Sequence, residues 1–184
     1  MMKELINTLD RWLQENRPAY YESLRPAWGN EQFEQIQKLS ETELPQSFRI
    51  LYNWKGGQSA LTSESLYHSW RYLQFEEIRI PYQSYNELYE MGEFQQKDWW
   101  NPKWIPFLEN ENGVLMCVDL AGSFEDQQGQ LVTFIADDPA RTIEFPSLEE
   151  FITSLLKGYE DTAKIQQLSK QIQIPYPKGY PIAI

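Results

Sequence analysis

The amino-acid sequence predicts an α+β domain, and three observations lead to this fold class. Apolar residues in the first 60 positions recur every three to four residues, the spacing of helices with one buried face. The later part holds short apolar runs separated by polar turns, which is typical of antiparallel strands. A final apolar stripe at helical spacing follows them. This order indicates N-terminal helices and a mostly antiparallel sheet with a closing C-terminal helix.

Three helices are predicted near the start of the chain. The first has one apolar stripe, formed by Met2, Leu5, Ile6, Leu9, Trp12 and Leu13. Pro18 is expected to stop this helix, and residues 16–30 to form an irregular link that carries aromatic side chains. Asn30 is expected to cap the second helix. Pro45 suits the first turn of the third helix, which the following glycine pair ends.

The middle of the chain changes to strand patterns. Residues 73–78 resemble the entry of a further helix, and residues 86–94 have a sequence that suits a helix. Asn112-Gly113 is a strong hairpin signal between two apolar runs. The predicted strands lie at residues 104–107, 114–118, 129–136 and 141–146. Ser147 is expected to cap the closing helix.

We expect a single domain over residues 1–160 and a C-terminal extension over residues 161–184, because 184 residues suit one domain. The extension continues with Ile165, Leu168 and Ile172, and then becomes rich in proline. Its end is predicted to be either an extended strap or a loose end. The single cysteine, Cys117, fits a reducing compartment, and no apolar run is long enough to span a membrane. The cytoplasm is the predicted location.

The net charge of −11 is concentrated in the middle of the chain. Residues 61–150 hold 5 basic and 17 acidic side chains, whereas the segments 1–60 and 151–184 are close to neutral. Acidic surfaces repel phosphate groups, so we expect neither nucleic acid nor an anionic membrane as a partner. Such a charge keeps a protein soluble, or it matches the surface of a basic partner.

Few side chains are suited to catalysis or to metal binding. His68 is the only histidine and Cys117 the only cysteine, so a structural zinc site lacks ligands. We expect His68 to be a packed or rim residue near a strand, and Cys117 to be a buried small hydrophobic residue. The acidic residues could supply the carboxylate pair of a glycosidase, but their spacing selects no pair. No catalytic, cofactor-binding or metal-binding residue is predicted.

Three stretches together resemble the SUKH superfamily, which includes fungal cell-wall assembly regulators of the Smi/Knr type. Residues 9–58 are similar to the family's opening, with a Trp-Leu helix, a Leu-Pro pair and a Gly-Gln ending. Residues 100–134 resemble its hairpins, and residues 145–160 its closing helix. The order and spacing of these motifs carry the resemblance. Residues 79–100 depart from it, since they are longer and richer in Glu and Gln.

The resemblance implies a non-enzymatic α+β domain with a sheet backed by helices. By this resemblance, the start of the domain is marked by Leu44, Pro45, Tyr52 and Gly57. Its fold is defined by Trp104, Pro106, Asp119, Leu120 and Gly129. By the same resemblance, the domain would act as a bacterial immunity protein that neutralises a toxin. A regulator or scaffold in cell-wall assembly is the alternative. A third hypothesis, carbohydrate binding or hydrolysis through Trp and Tyr side chains beside carboxylates, comes from the composition.

A protein partner is expected, with a basic toxin domain as the candidate. The predicted contact residues are Glu90, Glu93, Asp98, Trp99, Trp100 and Asp119. The first five lie in the acidic middle region, where the two tryptophans offer aromatic anchors. Asp119 follows an apolar strand, so it is either a partner contact or an acceptor for hydrogen bonds from the next turn.

Overall fold

The computed structural model describes residues 1–163 and 172–184. Its helices are α1 (Met2–Asn16), α2 (Pro18–Ser23), α3 (Asn30–Ser40), α4 (Gln46–Trp54), α5 (Phe75–Glu90) and α6 (Leu148–Ala163). Its strands are β1 (Arg71–Tyr72), β2 (Trp104–Glu109), β3 (Leu115–Asp119), β4 (Leu131–Phe134), β5 (Thr142–Phe145) and β6 (Ile182–Ala183). The strands form one sheet in the order β1-β2-β3-β4-β5-β6, and every neighbouring pair is antiparallel. The predicted α+β class is confirmed.

Helices cover both faces of the sheet. On one face, the ring of Phe134 in β4 lies 4.8 Å from the ring of Tyr85 in α5. On the other face, Phe107 and Phe145 contact Phe151 of α6, with ring centroids 5.7 and 5.4 Å apart. Every residue of β3 and β4 is therefore buried. Strands that are buried on both faces are apolar along their length, which explains why the sequence shows runs here instead of alternation.

The three helices predicted at the start are present as α1, α3 and α4. The apolar stripe of α1 packs against α4 and α6, as its spacing requires. The link between α1 and α3 differs from the prediction, because it contains α2. Pro18 occupies the first turn of α2, where the missing N–H has no partner to lose. The expected aromatic side chains of this link are buried at Tyr20 and Trp28.

The stretch that precedes the central strands forms one helix. Residues 73–78 and 86–94 were predicted as separate helical pieces, but α5 is continuous between them and ends at Glu90. Pro81 lies inside α5. A proline inside a pattern is read as an end because it removes one backbone donor and clashes with the preceding turn. Here the burial of Ile78 and Tyr82 on either side of it holds the helix against the sheet.

Residues 172–184 form an extended strap, which is one of the two predicted alternatives. Ile172 and Ile174 are 1% and 9% exposed. The Tyr176 ring stacks on Phe145 at 5.1 Å, and its hydroxyl donates to Glu144 at 2.7 Å. At the end of the strap, β6 pairs with β5. The two other apolar residues named in the extension, Ile165 and Leu168, lie outside the described residues.

The strap packs so closely against α6 that Gly158 has no room for a side chain. A Cβ atom at this position would lie 2.5 Å from the carbonyl oxygen of Gln173 and 2.9 Å from Cγ2 of Ile174. We predict that Gly158→Ala lowers the free energy of unfolding by about 1–3 kcal/mol, because this overpacking outweighs the better helix propensity of alanine.

Hydrogen exchange checks this prediction, since the strap's backbone amides should lose protection in the variant. Lys157→Ala is the matched control, because Lys157 is the exposed neighbour on the same helix. Equal protection of residues 172–184 in wild type and Gly158→Ala would show that the strap does not depend on this contact.

Candidate functional site

Several loops meet at one end of the sheet. The connection between β2 and β3, residues 110–114, contains the predicted Asn112-Gly113 hairpin. Because the strands are antiparallel neighbours, the connection between β4 and β5, residues 135–141, lies at the same end. This end is the candidate functional site.

The first part of the segment after α5, residues 91–99, is anchored to the same end. Phe94 packs on Phe134, with ring centroids 6.0 Å apart. The indole nitrogen of Trp99 donates to the carbonyl of Ile135 at 3.3 Å. The C-terminal end of α5 is therefore held beside the β4–β5 connection, although about 50 residues separate them in the sequence.

A buried arginine joins these segments. Arg141 is 3% exposed, and its guanidinium donates to the carbonyl oxygens of Trp99, Ile135, Asp138 and Ala140. It also lies over the ring of Phe134, 5.0 Å from the centroid. Burial lowers the pKa of Arg141 to about 10. Arg141 was not predicted as a site residue, although a lone basic side chain in an acidic segment just before a strand was an available signal.

Acidic side chains gather on the surface of this end of the sheet. We call Glu90, Glu93, Asp98, Glu111, Asp137 and Asp138 the acidic end. All except Asp98 are exposed, and Asp98 is half-buried. Among the described residues, the only ion pair formed by a member of the acidic end is that of Asp98 with Lys97, at 3.7 Å. The acidic end thus presents negative charge that the described part of the chain leaves largely unneutralised.

The structure corrects the prediction for Trp100. Its side chain is 2% exposed, its ring lies 4.7 Å from that of Phe134, and its indole nitrogen donates to Asn86 at 2.8 Å. Trp100 is therefore part of the core and has no surface to offer a partner. Trp99 is half-buried, and Glu90 and Glu93 are exposed, so these three remain accessible.

Asp119 is also buried, and it lies at the opposite end of the sheet. Its carboxylate accepts hydrogen bonds from the backbone N–H groups of Ala121, Gly122 and Ser123 at 2.7–3.1 Å, and from the Ser123 hydroxyl at 3.3 Å. Burial raises the pKa of Asp119, while these donors act in the opposite direction. Of its two predicted roles, the structure supports the one that holds the following turn, and it removes Asp119 from the accessible contact residues.

The other candidate residues are placed apart from the acidic end. Cys117 is buried inside β3, where burial raises the pKa of its thiol. His68 is exposed, with a φ of 46°, in the turn that precedes β1. Within residues 1–163 and 172–184, no group of three His, Cys, Asp or Glu side chains is arranged to hold a metal ion. No helix in the same ranges is long and apolar enough to cross a membrane.

The model of the SMI1 / KNR4 family (SUKH-1) matches residues 29–154. This chain belongs to that family. The match covers more than half of the chain, and it confirms the resemblance that the order of motifs indicated. It begins next to α3 and ends within α6, so the whole acidic end lies inside the SUKH-1 domain. No curated protein sequence matches the chain significantly.

Asp119 provides a test of the turn that closes the other end of the SUKH-1 sheet. We predict that Asp119→Asn lowers the free energy of unfolding by about 2 kcal/mol. In the variant, the side-chain NH2 group faces the Ser123 N–H, which then loses its acceptor. Chemical denaturation measures the change. The matched control, Asp126→Asn, alters an exposed side chain of the same loop and should shift stability by less than about 0.5 kcal/mol. An Asp119→Asn variant as stable as the control would contradict this role.

Proposed function

We propose that this SUKH-1 chain is an immunity protein, which binds and inhibits a basic toxin domain and does not itself catalyse a reaction. The acidic end is the observation that carries the proposal. It places exposed carboxylates from three separate segments on one surface, and Arg141 holds the backbone of two of these segments in position. A surface held in this way loses little conformational freedom when it binds.

The charge of the acidic end favours a basic protein surface as its partner. Complementary charge accelerates the encounter of two proteins and suppresses wrong partners. Speed matters for an inhibitor, because a toxin acts from the moment it is free. The same negative charge disfavours nucleic acid and anionic lipid, in agreement with the charge count of the sequence.

Two other functions remain to be separated by experiment. A regulator or scaffold in cell-wall assembly would also bind proteins, and a toxin gene beside this one would favour immunity over that role. Carbohydrate binding would need aromatic faces that are open to a sugar. The chain has seven tryptophans, all in the described part, and each is buried or half-buried. A glycan array tests this third function directly.

Charge reversal tests the acidic end. We predict that changing Glu90, Glu93 and Glu111 together to Lys abolishes protection against a toxin domain encoded beside this chain, with association slowed at least about tenfold at low salt. Growth rescue and surface plasmon resonance are the measurements. Asp98 is left unchanged, since its φ of 58° makes most substitutions strained.

The matched control changes Glu15, Glu22 and Glu160, which are also exposed, to Lys. They lie on α1, α2 and α6, which contribute no residue to the acidic end. The control triple has the same net charge as the test triple, so it should retain rescue. Full rescue by both triples would refute binding through the acidic end, and absence of any neutralised toxin would refute the immunity function.

A further inference from the structure

The end of α5 exposes an unusual set of apolar side chains. Leu88, Tyr89 and Met91 are 37%, 46% and 72% exposed. We call these three residues the α5 tip. Other exposed large apolar residues in the described ranges are isolated, or lie near the ends of the chain. Clustered exposed apolar residues mark interaction sites more often than single ones do.

The α5 tip is held rigidly. The N–H of Glu93 donates to the carbonyl of Leu88 and that of Gly92 to the carbonyl of Tyr89, both at 3.0 Å. With Gly92 at a φ of 76°, these two bonds form a Schellman motif, which closes the helix. Asn86, one turn earlier, accepts from Trp100 and donates to the carbonyl of Leu39. These hydrogen bonds constrain the backbone of the α5 tip.

One part of the Schellman motif is missing. The motif is usually accompanied by an apolar contact between the residue three places before the cap, here Leu88, and the residue two places after the cap. That second position is occupied by Glu93, which is exposed. Leu88 consequently has no apolar partner from its own cap and stays 37% exposed. An apolar side chain from another protein could fill this place.

The negative charge around the α5 tip favours a partner with basic side chains. The last turn of α5 contains no basic residue, while Glu87 and Glu90 lie in it and Glu93 follows it. The C-terminal end of a helix bears a partial negative charge, and cations are favourable there. Here acidic side chains add to that charge. A lysine or arginine from a partner would neutralise both.

From these observations we propose that the α5 tip docks a partner surface that combines an apolar side chain with flanking lysine or arginine residues. The apolar group contacts Leu88 and Met91, and the cations approach Glu87, Glu90 and the end of α5. This inference rests on the proposed function, since it names the contact and the chemistry within the acidic end. It differs from the proposed function in its source of affinity. Here the apolar contact supplies the affinity, and the charge accelerates the encounter with the partner.

A synthetic amphipathic helix of leucine and lysine is the first probe, because it needs no knowledge of the natural partner. Titrated into the isotope-labelled full chain, it should shift the amide resonances of residues 87–93 most. The variant Leu88→Ser/Met91→Ser should weaken binding at least about tenfold. The control Leu61→Ser/Ile80→Ser removes two exposed apolar residues, 94% and 55% exposed, outside the tip and should change affinity less than about twofold. Equal affinity of both double variants, or shifts centred elsewhere, would overturn the proposal.

A second variant separates binding from folding. Glu87→Lys places a cation in the last turn of α5, which should raise the melting temperature because it favours the helix dipole. The same change should weaken peptide binding, because it repels the lysines of the probe. A variant that is more stable and binds less cannot be explained by misfolding. Unchanged or tighter binding by Glu87→Lys would refute the cationic part of the contact.

The toxin domain distinguishes this inference from the proposed function. If the toxin is neutralised equally by wild type and Leu88→Ser/Met91→Ser, the α5 tip is overturned and the immunity function stands. If the leucine–lysine helix binds at residues 87–93 but no toxin is neutralised, the tip stands as a basic-protein site and the immunity function falls.

Discussion

Arg141 lies immediately before β5, where four backbone carbonyls converge on its guanidinium. Three of these carbonyls belong to the β4–β5 connection, at Ile135, Asp138 and Ala140, and the bonds to Trp99 reach the segment after α5. Without this cation, partly buried carbonyl oxygens in both segments would lose their donors, and a polar group left without a partner away from water destabilises the fold. The arrangement of the acidic end therefore depends on the buried side chain of Arg141.

Much of the fold could be predicted because its main elements have strong local signals. The stripe of α1 follows from its spacing, the β2–β3 hairpin from its Asn112-Gly113 turn, and β3 and β4 from their short apolar runs. The elements that were not predicted, β1 and β6, are two residues long. They exist because distant residues pair with them, and no periodicity can develop over two positions. Helix α2 is also too short, at six residues, to show a clear periodicity, and it begins at Pro18, which was predicted only to stop the first helix.

The candidate site was predictable in its charge but not in its burial. The exposure of Glu90 and Glu93 follows from their charge, since acidic side chains are rarely buried unpaired. Trp99 and Trp100 are adjacent and chemically identical, so only the path of the loop decides that Trp100 enters the core while Trp99 lies at its margin. Asp119 shows the converse case. Its predicted role as a partner contact required exposure, but its other predicted role holds, because three N–H groups of the next turn donate to its buried carboxylate.

The two ends of α5 use the same residue type with opposite consequences. At the start, Glu77 accepts from the N–H of Gln74 at 3.1 Å and pairs with Arg71 at 2.9 Å, so its charge helps to begin the helix. At the other end, Glu87 and Glu90 lie where the helix dipole disfavours them, and no described basic residue forms an ion pair with either. The contacts of Glu77 stabilise the helix, whereas the charges of Glu87 and Glu90 destabilise it. The proposed docking role would give these charges, and the apolar side chains of Leu88 and Met91 beside them, a use that the stability of the helix does not.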